Sequence, residues 1–444
     1  MSGNFIKQFE TARSALPGAG LAWLDHMRET AIERFDEAGF PTIRTESWKY
    51  TNLNRLSRND YAAPEPRPGL DDAALTPWLM AATECHRLVF IDGRFSAGHS
   101  AIGKLPKGVT LAPLTQIIDS DPEFVHDAMT TAEPEDGDGL LALNTALLRD
   151  GLVLRIDAGV ELAQPVQLVH YATAGDAAMA IHPHHLVSLG DNSRATLMEC
   201  YVGAAGAKNW TNSVMTIQLA AGAALEHARL QIESDDAYHV GMTRLGVARD
   251  AAYSGVAVST GAALSRNEFR AALTGTGADC RIAGGALIQG RQHADITTEI
   301  THAAAHTNSA QLFKNVLDDQ SRAVTQGRVV VKADAQKINA DQSNRNLLLS
   351  PGARADSKPE LRIFADDVKC SHGATFGDLD REAMFYLRSR GISEPDARKL
   401  LIQAFATELL DQISSPALRA FLDGALESRL GQSDTGAELI EVAS

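Results

Sequence analysis

The chain has 444 residues, of which 44% are hydrophobic and 22% are charged, and its formal net charge is −15. This composition is that of a folded protein of about three domains. The acidic balance argues against affinity for nucleic acid or for an anionic membrane surface, and the sequence has no run of about 18 apolar residues that would predict a membrane-spanning helix.

The N-terminal 60 residues are predicted to be helical, because apolar residues recur at helical spacing from Leu21 to Phe35 and Gly39 marks a stop. A proline-rich, acidic link follows from Ala63 to Asp72. Beyond it, RLVFIDGRFS predicts a short hairpin with Asp92-Gly93 at its turn. No apolar signal core precedes these elements and the four cysteines form no C-x-x-C pair, so we expect a cytoplasmic protein with reduced thiols.

From about Leu143 to Thr375 the helical periodicity disappears and one short pattern recurs. It consists of an aliphatic residue, two variable residues, a turn-former and then usually a small residue. Copies begin at Ile156, Leu189, Leu219, Val247, Leu273, Leu317 and Leu349. Their spacing is close to about 30 residues except for one gap of about 44, which predicts an unrecognised copy around ITHAAAHTNS.

A period near 30 in a strand-rich segment is typical of a stack of similar turns. We therefore predict a mainly β fold, a right-handed parallel β-helix flanked by N- and C-terminal helical domains. The alternative is a β-sandwich, which more often has turns every 8 to 12 residues. The predicted division is an N-terminal, mostly helical domain with a linker and short strands (1–140), the β-helix core (141–376) and a C-terminal helical domain (377–444).

The C-terminal region is predicted to contain three helices. The first ends at Gly391, the second is capped by Ser393 with Pro395 in its first turn, and the third follows Ser415-Pro416. The predicted apolar face of the second helix consists of Leu400, Leu401, Ala404, Phe405, Leu409 and Ile413.

The stretch DDVKCSHGATFG places Cys370 and His372 two positions apart, so in a strand both side chains lie on one face. One interpretation is a small buried cysteine beside a satisfied polar histidine, and the other is a metal site completed by a second chain. The HPHH tract at His182–His185 looks like a metal tract, but we interpret it as polar residues on the outside of a stacked turn. No P-loop, nucleophile elbow or paired-cysteine zinc pattern is present in the sequence.

Three stretches carry a resemblance to a known family: ESWKYTNL, ALNTALLRDGLVLRIDAGVELAQPVQLVH, and the long segment from DDVKCSHGATFG through GISEPDARKLLIQAFATELL. With the helix–stack–helix order, they resemble the SufB/SufD family of scaffold components of the Suf iron–sulfur cluster assembly system, and most closely its SufD branch. The resemblance implies a non-catalytic scaffold that pairs with SufB through the β-helix. It also implies that the C-terminal helical domain binds the SufC ATPase, so that the ATPase activity belongs to a partner chain.

The resemblance also implies a site. His372, with Cys370 as a neighbouring candidate ligand, would lie at the SufB–SufD interface and contact a transient iron–sulfur cluster shared with SufB. Residue 344, where SufB carries an interface cysteine, is Asn344 in this chain. A reduced flavin is a further candidate cofactor of the complex.

Two alternatives stay open at this stage. The first is a purely structural adaptor that makes no metal contact. The second is a β-helix enzyme acting on polysaccharide, which would line an outward groove with carboxylates and basic residues. We do not expect such a groove from this sequence.

Overall fold

The computed structural model describes residues 3–65, 72–81, 83–130 and 138–441, with side chains up to residue 429. Most of the predicted link Ala63–Asp72 lies outside these residues. The helices are α1 (Gly3–Ala12), α2 (Ala22–Ala38), α3 (Asn54–Arg58), α4 (Asp72–Leu75), α5 (Leu114–Ser120), α6 (Pro122–Thr130), α7 (Gly139–Leu147), α8 (Arg381–Ser389), α9 (Glu394–Thr407) and α10 (Pro416–Glu441).

The strands are grouped in two ten-stranded sheets. Sheet 1 contains β1 (His86–Ile91), β2 (Arg94–Phe95), β5 (Val166–Ala172), β8 (Arg194–Gly203), β10 (Ala224–Ile232), β12 (Ala252–Ser259), β14 (Asp279–Ile288), β16 (Asn308–Leu317), β18 (Ile338–Leu348) and β20 (Val368–Gly377). Sheet 2 contains β3 (Val109–Pro113), β4 (Leu152–Ile156), β6 (Met179–Ile181), β7 (His184–Leu189), β9 (Asn209–Leu219), β11 (Tyr238–Val247), β13 (Leu264–Leu273), β15 (His293–His302), β17 (Arg322–Val331) and β19 (Arg354–Ile363).

From β8 onward the chain alternates between the two sheets, and each strand pairs in parallel with the strand one turn earlier in the same sheet. The result is a parallel β-solenoid of about eight turns with helices at both ends, which confirms the predicted β-helix. Register partners along sheet 2 run through Leu219, Val247, Leu273, His302 and Val331, so that one turn takes about 28 residues.

The strand ends explain the irregular gap in the sequence pattern. The copies from Ile156 to Leu273 all begin at the ends of sheet 2 strands, whereas Leu317 ends a strand of sheet 1. The series in sheet 2 continues instead at His302, inside ITHAAAHTNS, as predicted. The gap therefore marks a change of sheet and not a distorted turn of the β-helix.

The turn-formers of the pattern adopt the left-handed conformation that reverses the chain after a strand. Asn192, Gly222, Asp250, Gly277 and His306 all have φ between 55° and 80°. Glycine, asparagine and aspartate tolerate this region better than most residues, because they are small or can hydrogen-bond locally. His306 occupies the same place in its turn as Gly277 does one turn earlier, and its carbonyl accepts from the Gly277 N–H.

The predicted hairpin is also present. β1 and β2 pair antiparallel around Asp92 and Gly93, whose φ values of 48° and 75° suit a tight hairpin turn. β1 pairs in parallel with β5, so the hairpin covers the first edge of sheet 1. β3 covers the corresponding edge of sheet 2 by pairing antiparallel with β4.

The helical ends largely match their sequence signals. α2 ends before Gly39, α8 is followed by Gly391 with φ of 86°, and the Ser393 side chain accepts from the Asp396 N–H at the start of α9. The predicted apolar face of the second C-terminal helix is partly wrong. Residues that pack against the outer face of sheet 1 include Ile402, Ala406, Leu409 and Ile413, whereas Leu400 and Ala404 are exposed.

Candidate functional site

The C-terminal end of the β-helix is open in the described part of the chain. β20 is the last strand of sheet 1 and β19 the last strand of sheet 2, so each has one edge without a neighbouring strand. Most residues of both strands are exposed or only half-buried, in contrast to the buried strands before them. Apolar side chains add to this surface, with Phe364 66% and Phe376 51% exposed.

Cys370 and His372 both lie on β20, as the sequence predicted. Their partners on β18 are Ala340 and Gln342, and the strand's alternation places them on one face. Cys370 is half-buried against the apolar cluster that includes Val329 and Ala340, inside the last turns of the β-helix. Burial raises the pKa of its thiol, which favours the protonated form over the thiolate.

His372 faces the same side but is exposed, because no further turn covers it. On the opposite face of β20 the Ser371 hydroxyl donates to the Asp341 carboxylate, which ties the last strand to β18. Among the described residues, no three His, Cys, Asp or Glu side chains form a group able to hold a metal ion. Cys370 and His372 thus lie two positions apart on one face of the last strand, at the open end of the β-helix.

Two carboxamides that the sequence did not single out lie on β18, one opposite His372 and the other opposite Ala374. Gln342 and Asn344 alternate with Asp341 and Ser343 on β18 and face the interior, where they are 7% and 5% exposed. Neither the oxygen nor the nitrogen of either carboxamide has a hydrogen-bond partner. No sequence signal could have found them. In the stretch INADQSNRN the residues of both strand faces are mostly polar, so the sequence does not show which face is buried.

The interpretation of the HPHH tract as exposed polar residues is wrong. His182, His184 and His185 are all buried. α7 covers this part of sheet 2, and His184 Nδ1 donates to Asn144 Oδ1 at 2.8 Å. His185 faces the interior, where its Nδ1 accepts from the Leu152 N–H at 2.9 Å.

Those histidines are structural in this conformation. His182 packs edge-on against Trp210, with ring centroids 5.5 Å apart. Burial lowers the pKa of His182 and of His184 to about 3, so both are neutral at physiological pH. One ring nitrogen of His184 and one of His185 have a protein partner, whereas Nε2 of His182 and Nε2 of His184 have none. No group of three possible metal ligands includes these histidines in the part of the chain that the structure describes.

A buried ionic cluster occupies the interior of the first turns. Glu199 accepts from Arg229 at 2.9 Å, from the Tyr201 hydroxyl at 2.7 Å and lies 2.6 Å from His227 Nε2. Burial alone would raise the pKa of Glu199, but Arg229 and His227 hold it well below its usual range. The cluster is thus an ionised network enclosed by protein.

An outward groove with carboxylates and basic residues does exist, contrary to our expectation. It lies on the outer face of sheet 2, in a cavity of about 90 Å³ lined by residues such as Glu268, Arg270, Glu299, Arg328 and Glu360. These groups pair with one another: Arg328 contacts Glu299 at 2.9 Å and Glu360 at 3.2 Å.

The charges in this groove do not suit glycoside hydrolysis. Burial raises the pKa of Glu268, but Arg266 and Arg270 outweigh it and hold this pKa below its ordinary value. Burial and ion pairing have the same opposing effects on Glu360, whose pKa is also lowered. A glycosidase needs one carboxylic acid that stays protonated to donate to the leaving group, and both of these carboxyls are held ionised.

The ESWKYTNL stretch clamps the N-terminal segment onto this same face. The Trp48 ring lies 4.0 Å from the guanidinium of Arg266, which is buried and paired with Asp295. The Thr51 hydroxyl donates to Asp295, and the Ser47 carbonyl accepts from the side chain of Gln326. The motif therefore holds the N-terminal segment against the last turns of the β-helix.

The other three cysteines are buried. Cys85 lies near the first edge of sheet 1, Cys200 lies on the sheet 1 face under the C-terminal helices, and Cys280 faces the interior. Burial raises the pKa of Cys200 to about 12 and raises that of Cys280 further. Both thiols are therefore held protonated, in keeping with a packing role. In the described segments, no helix combines the length and apolarity needed to cross a membrane.

Together, the fold and site define a β-helix protein with helical caps and an exposed histidine at its open end. Comparison with known proteins narrows this class. Residues 170–405 match the family model for the SufBD core domain of SUF system FeS cluster assembly, and residues 1–168 match that for the SufBD protein N-terminal region. The chain belongs to the SufBD family of the SUF iron–sulfur cluster assembly system.

Its relatives include an iron–sulfur cluster assembly SufBD family protein of Synechocystis sp., 33% identical over 91% of each chain. The iron–sulfur cluster assembly protein SufD of Escherichia coli is 32% identical over 90% of this chain and 91% of that protein. SufD of Bacillus subtilis is 25% identical over 92% of this chain and 94% of that protein. The chain is thus similar to SufD proteins along almost its whole length.

Proposed function

We propose that this chain is a SufD-type scaffold subunit, without catalytic activity of its own, that supports assembly of iron–sulfur clusters at the open end of its β-helix. The observation that carries the proposal is the exposed His372 on the uncovered last turn of a SufBD-family β-helix. Iron and sulfide are the cargo, and a neutral imidazole is a suitable ligand for iron. Cys370, whose thiol is held protonated by burial, would contribute only after it loses its proton.

The partner at this end would be SufB. Unpaired strand edges and exposed phenylalanines favour association with another sheet, because the free N–H and C=O groups gain partners there. β19 and β20 offer both features on one surface. A second β-helix that covers the last turn would place its own thiolates beside His372 and complete the ligand set.

The second partner would be the SufC ATPase, bound by the C-terminal helices. α8 exposes Phe385 (75%) and Tyr386 (58%), while the inner face of α9 is anchored on sheet 1. Exposed aromatic side chains are well suited to anchor a partner. This division of labour agrees with the missing P-loop, because nucleotide hydrolysis would reside in the partner.

The remaining parts of the proposal concern organisation and context. We place the functional units at residues 1–140, 141–376 and 377–444, with the last as the ATPase-docking element. The complex would work in the cytoplasm, transiently hold a cluster shared with SufB, and be a candidate for binding reduced flavin. In a purely structural adaptor, by contrast, His372 would have no role in cluster formation.

One co-expression experiment tests the proposal. The chain would be produced anaerobically with SufB- and SufC-type partners, and its native mass measured. We expect one copy of this chain, one SufB and two SufC, and we expect His372→Ala to leave that mass unchanged while cluster content falls. Unchanged cluster content in an intact complex would favour the adaptor, and a chain that stays alone would contradict the heteromeric function.

A further inference from the structure

Two carboxamides on β18, at and next to the register position of His372, are unusual among buried polar groups. Gln342 and Asn344 are more than nine-tenths buried, and all four of their polar side-chain atoms are without partners. A buried polar group without a hydrogen bond destabilises the fold, so such groups commonly mark the place of a ligand or water. Two neighbouring residues on one strand face that both have no hydrogen-bond partner point to one shared ligand.

Both side chains face the interior at the open end of the β-helix. The carboxamide of Gln342 lies against Gly327 of the opposite sheet: a Cβ on Gly327 would be 3.0 Å from Gln342 Nε2 and 3.3 Å from Oε1. The glycine leaves the space in which this carboxamide sits. His372 is the register partner of Gln342 on the last strand, about 4.8 Å further along the sheet. Asn344 follows two positions along β18, opposite Ala374, so an occupant that binds both carboxamides would lie beside the imidazole.

The polar lining continues one turn back and then ends. Gln311 lies inside β16, where its Oε1 accepts from the Thr298 hydroxyl at 2.5 Å and its Nε2 has no partner. Beyond it, Ile282, Ile296 and Phe313 belong to the apolar core of the β-helix. The unpartnered carboxamides of β18 therefore lie between this apolar core and the open end of the β-helix.

The chemistry of the lining favours an acceptor of N–H hydrogen bonds over a metal cation. Carboxamides are neutral and present NH₂ donors, whereas a buried cation needs carboxylate or thiolate charge. The nearest carboxylate on this strand, that of Asp341, points outward and accepts from Ser371. Sulfide sulfur in iron–sulfur clusters commonly accepts N–H hydrogen bonds, which tune the stability of the cluster.

The geometry points to a sulfide-binding site in which the Gln342 and Asn344 carboxamides donate N–H hydrogen bonds to sulfide sulfur held beside His372. This inference rests on the proposed function, since it assigns part of the cargo to residues of this chain. The two carboxamides are positioning residues: they orient the sulfur, while His372 and the partner bind iron. The sulfur is either free hydrosulfide or the sulfide of a nascent cluster.

The test is the double variant Gln342→Met/Asn344→Leu, which keeps the approximate side-chain size but removes the donors. Acid-labile sulfide retained after anaerobic desalting would be measured in two arms. In the first arm the chain alone is incubated with sodium sulfide, and in the second the complex with SufB- and SufC-type partners receives ferrous iron and sulfide. Loss of two hydrogen bonds is expected to weaken sulfide retention by roughly tenfold.

Thermal unfolding provides a second readout, because a structural role of the carboxamides predicts the opposite change in Tm. Removing carboxamides that have no partner should raise Tm by about 1–3 °C, whereas removing carboxamides that stabilise the fold would lower it. Asn346→Leu is the matched control on the same strand. Its carboxamide accepts from Asn315 at 2.8 Å and donates to the Thr375 carbonyl at 3.1 Å, so we expect a lower Tm and unchanged sulfide retention.

The outcomes identify the form of the bound sulfur or overturn the inference. Retention by the iron-free chain identifies free hydrosulfide, and retention only with iron and partners identifies cluster sulfide. The inference is overturned if the double variant retains as much sulfide as the wild type. In that case only ordered water binds the two carboxamides. The inference is also overturned if the variant's Tm falls or if the wild type retains no sulfide in either arm.

The same experiment separates this inference from the proposed function. If the complex forms and His372→Ala loses sulfide while the double variant does not, the scaffold function stands and the carboxamide site falls. If no complex forms but the isolated chain retains sulfide through Gln342 and Asn344, the site stands and the heteromeric function falls.

Discussion

The burial of His184 makes the stability of the folded chain depend on pH. The pKa of this histidine is about 3 in the folded chain because of burial, against about 6.5 in an unfolded one. Below pH 6.5 the unfolded chain therefore binds a proton that the folded chain does not. Stability is complete above pH 6.5 and falls as the pH drops toward 3.

We expect His184→Gln to reduce this pH dependence by up to about 1.4 kcal/mol per pH unit between pH 6 and pH 4. The free energy of unfolding, followed by denaturant titration at several pH values, is the measurement. His26 is exposed on α2, so His26→Gln is the control for the histidine-to-glutamine change itself. Equal slopes for the wild type and His184→Gln would contradict the assignment of a buried neutral imidazole.

Single residues also show the limit of sequence reasoning. The i, i+2 spacing of Cys370 and His372 was enough to place them on one face, because strand alternation is a local property. The burial of His184 was not predictable, because the helix that covers it comes from a separate segment and contributes Asn144. The register that places Gln342 beneath His372 was equally hidden, since a turn of the β-helix separates them in the sequence.

At the scale of elements, the turns were predictable and the sheet assignment was not. Turn-formers such as Asn192 and Gly222 are recognisable because few residues tolerate a positive φ. The strands of both sheets, however, end in similar aliphatic residues, such as Leu273 in sheet 2 and Leu317 in sheet 1. The recurring sequence pattern therefore marks strand ends in both sheets and does not show to which sheet a strand belongs.

The N-terminal clamp is an element whose contribution can be measured. Trp48 is buried between its own segment and Arg266, and its removal would expose the buried Arg266–Asp295 pair to water. We expect Trp48→Ala to destabilise the fold by about 3–5 kcal/mol and to accelerate proteolysis near residue 50. Measurements are the Tm and the time course of limited proteolysis, with mass spectrometry of the first fragments.

Trp23→Ala is the control for this prediction. Trp23 is a half-buried residue of α2 that packs edge-on against His126, with ring centroids 5.1 Å apart. Its loss should lower stability less and should not open the segment around Trp48. If both variants lose the same stability and give the same fragments, the ESWKYTNL stretch has no special role in holding the N-terminal segment.

At the scale of the molecule, the two ends of the β-helix differ. The first edges are covered by the β1–β2 hairpin and by β3, and the helices α1, α2 and α7 pack nearby. The last edges, on β19 and β20, are not covered by any described strand. An uncovered stack end invites uncontrolled association, so we expect selection to retain it only where a defined partner binds.

This asymmetry predicts that the two proposed partners can be lost separately. Phe364→Lys/Phe376→Lys alters only the open end, and Phe385→Lys/Tyr386→Lys alters only α8. All four side chains are mostly exposed, so the Tm of the isolated chain should change by less than about 2 °C in either variant. The first variant should lose the SufB-type partner but keep SufC, because a buried lysine charge at a pairing surface is costly.

The second variant should show the reverse pattern, with SufC lost and SufB kept. Native mass spectrometry of co-expressed complexes distinguishes the two, and Ile43→Lys, at an exposed site near the N-terminal helices, should lose neither partner. Loss of the same partner from both variants would mean that the open end and α8 belong to a single interface. Separate losses would mean that the β-helix joins two independent surfaces, one at its open end and one on α8.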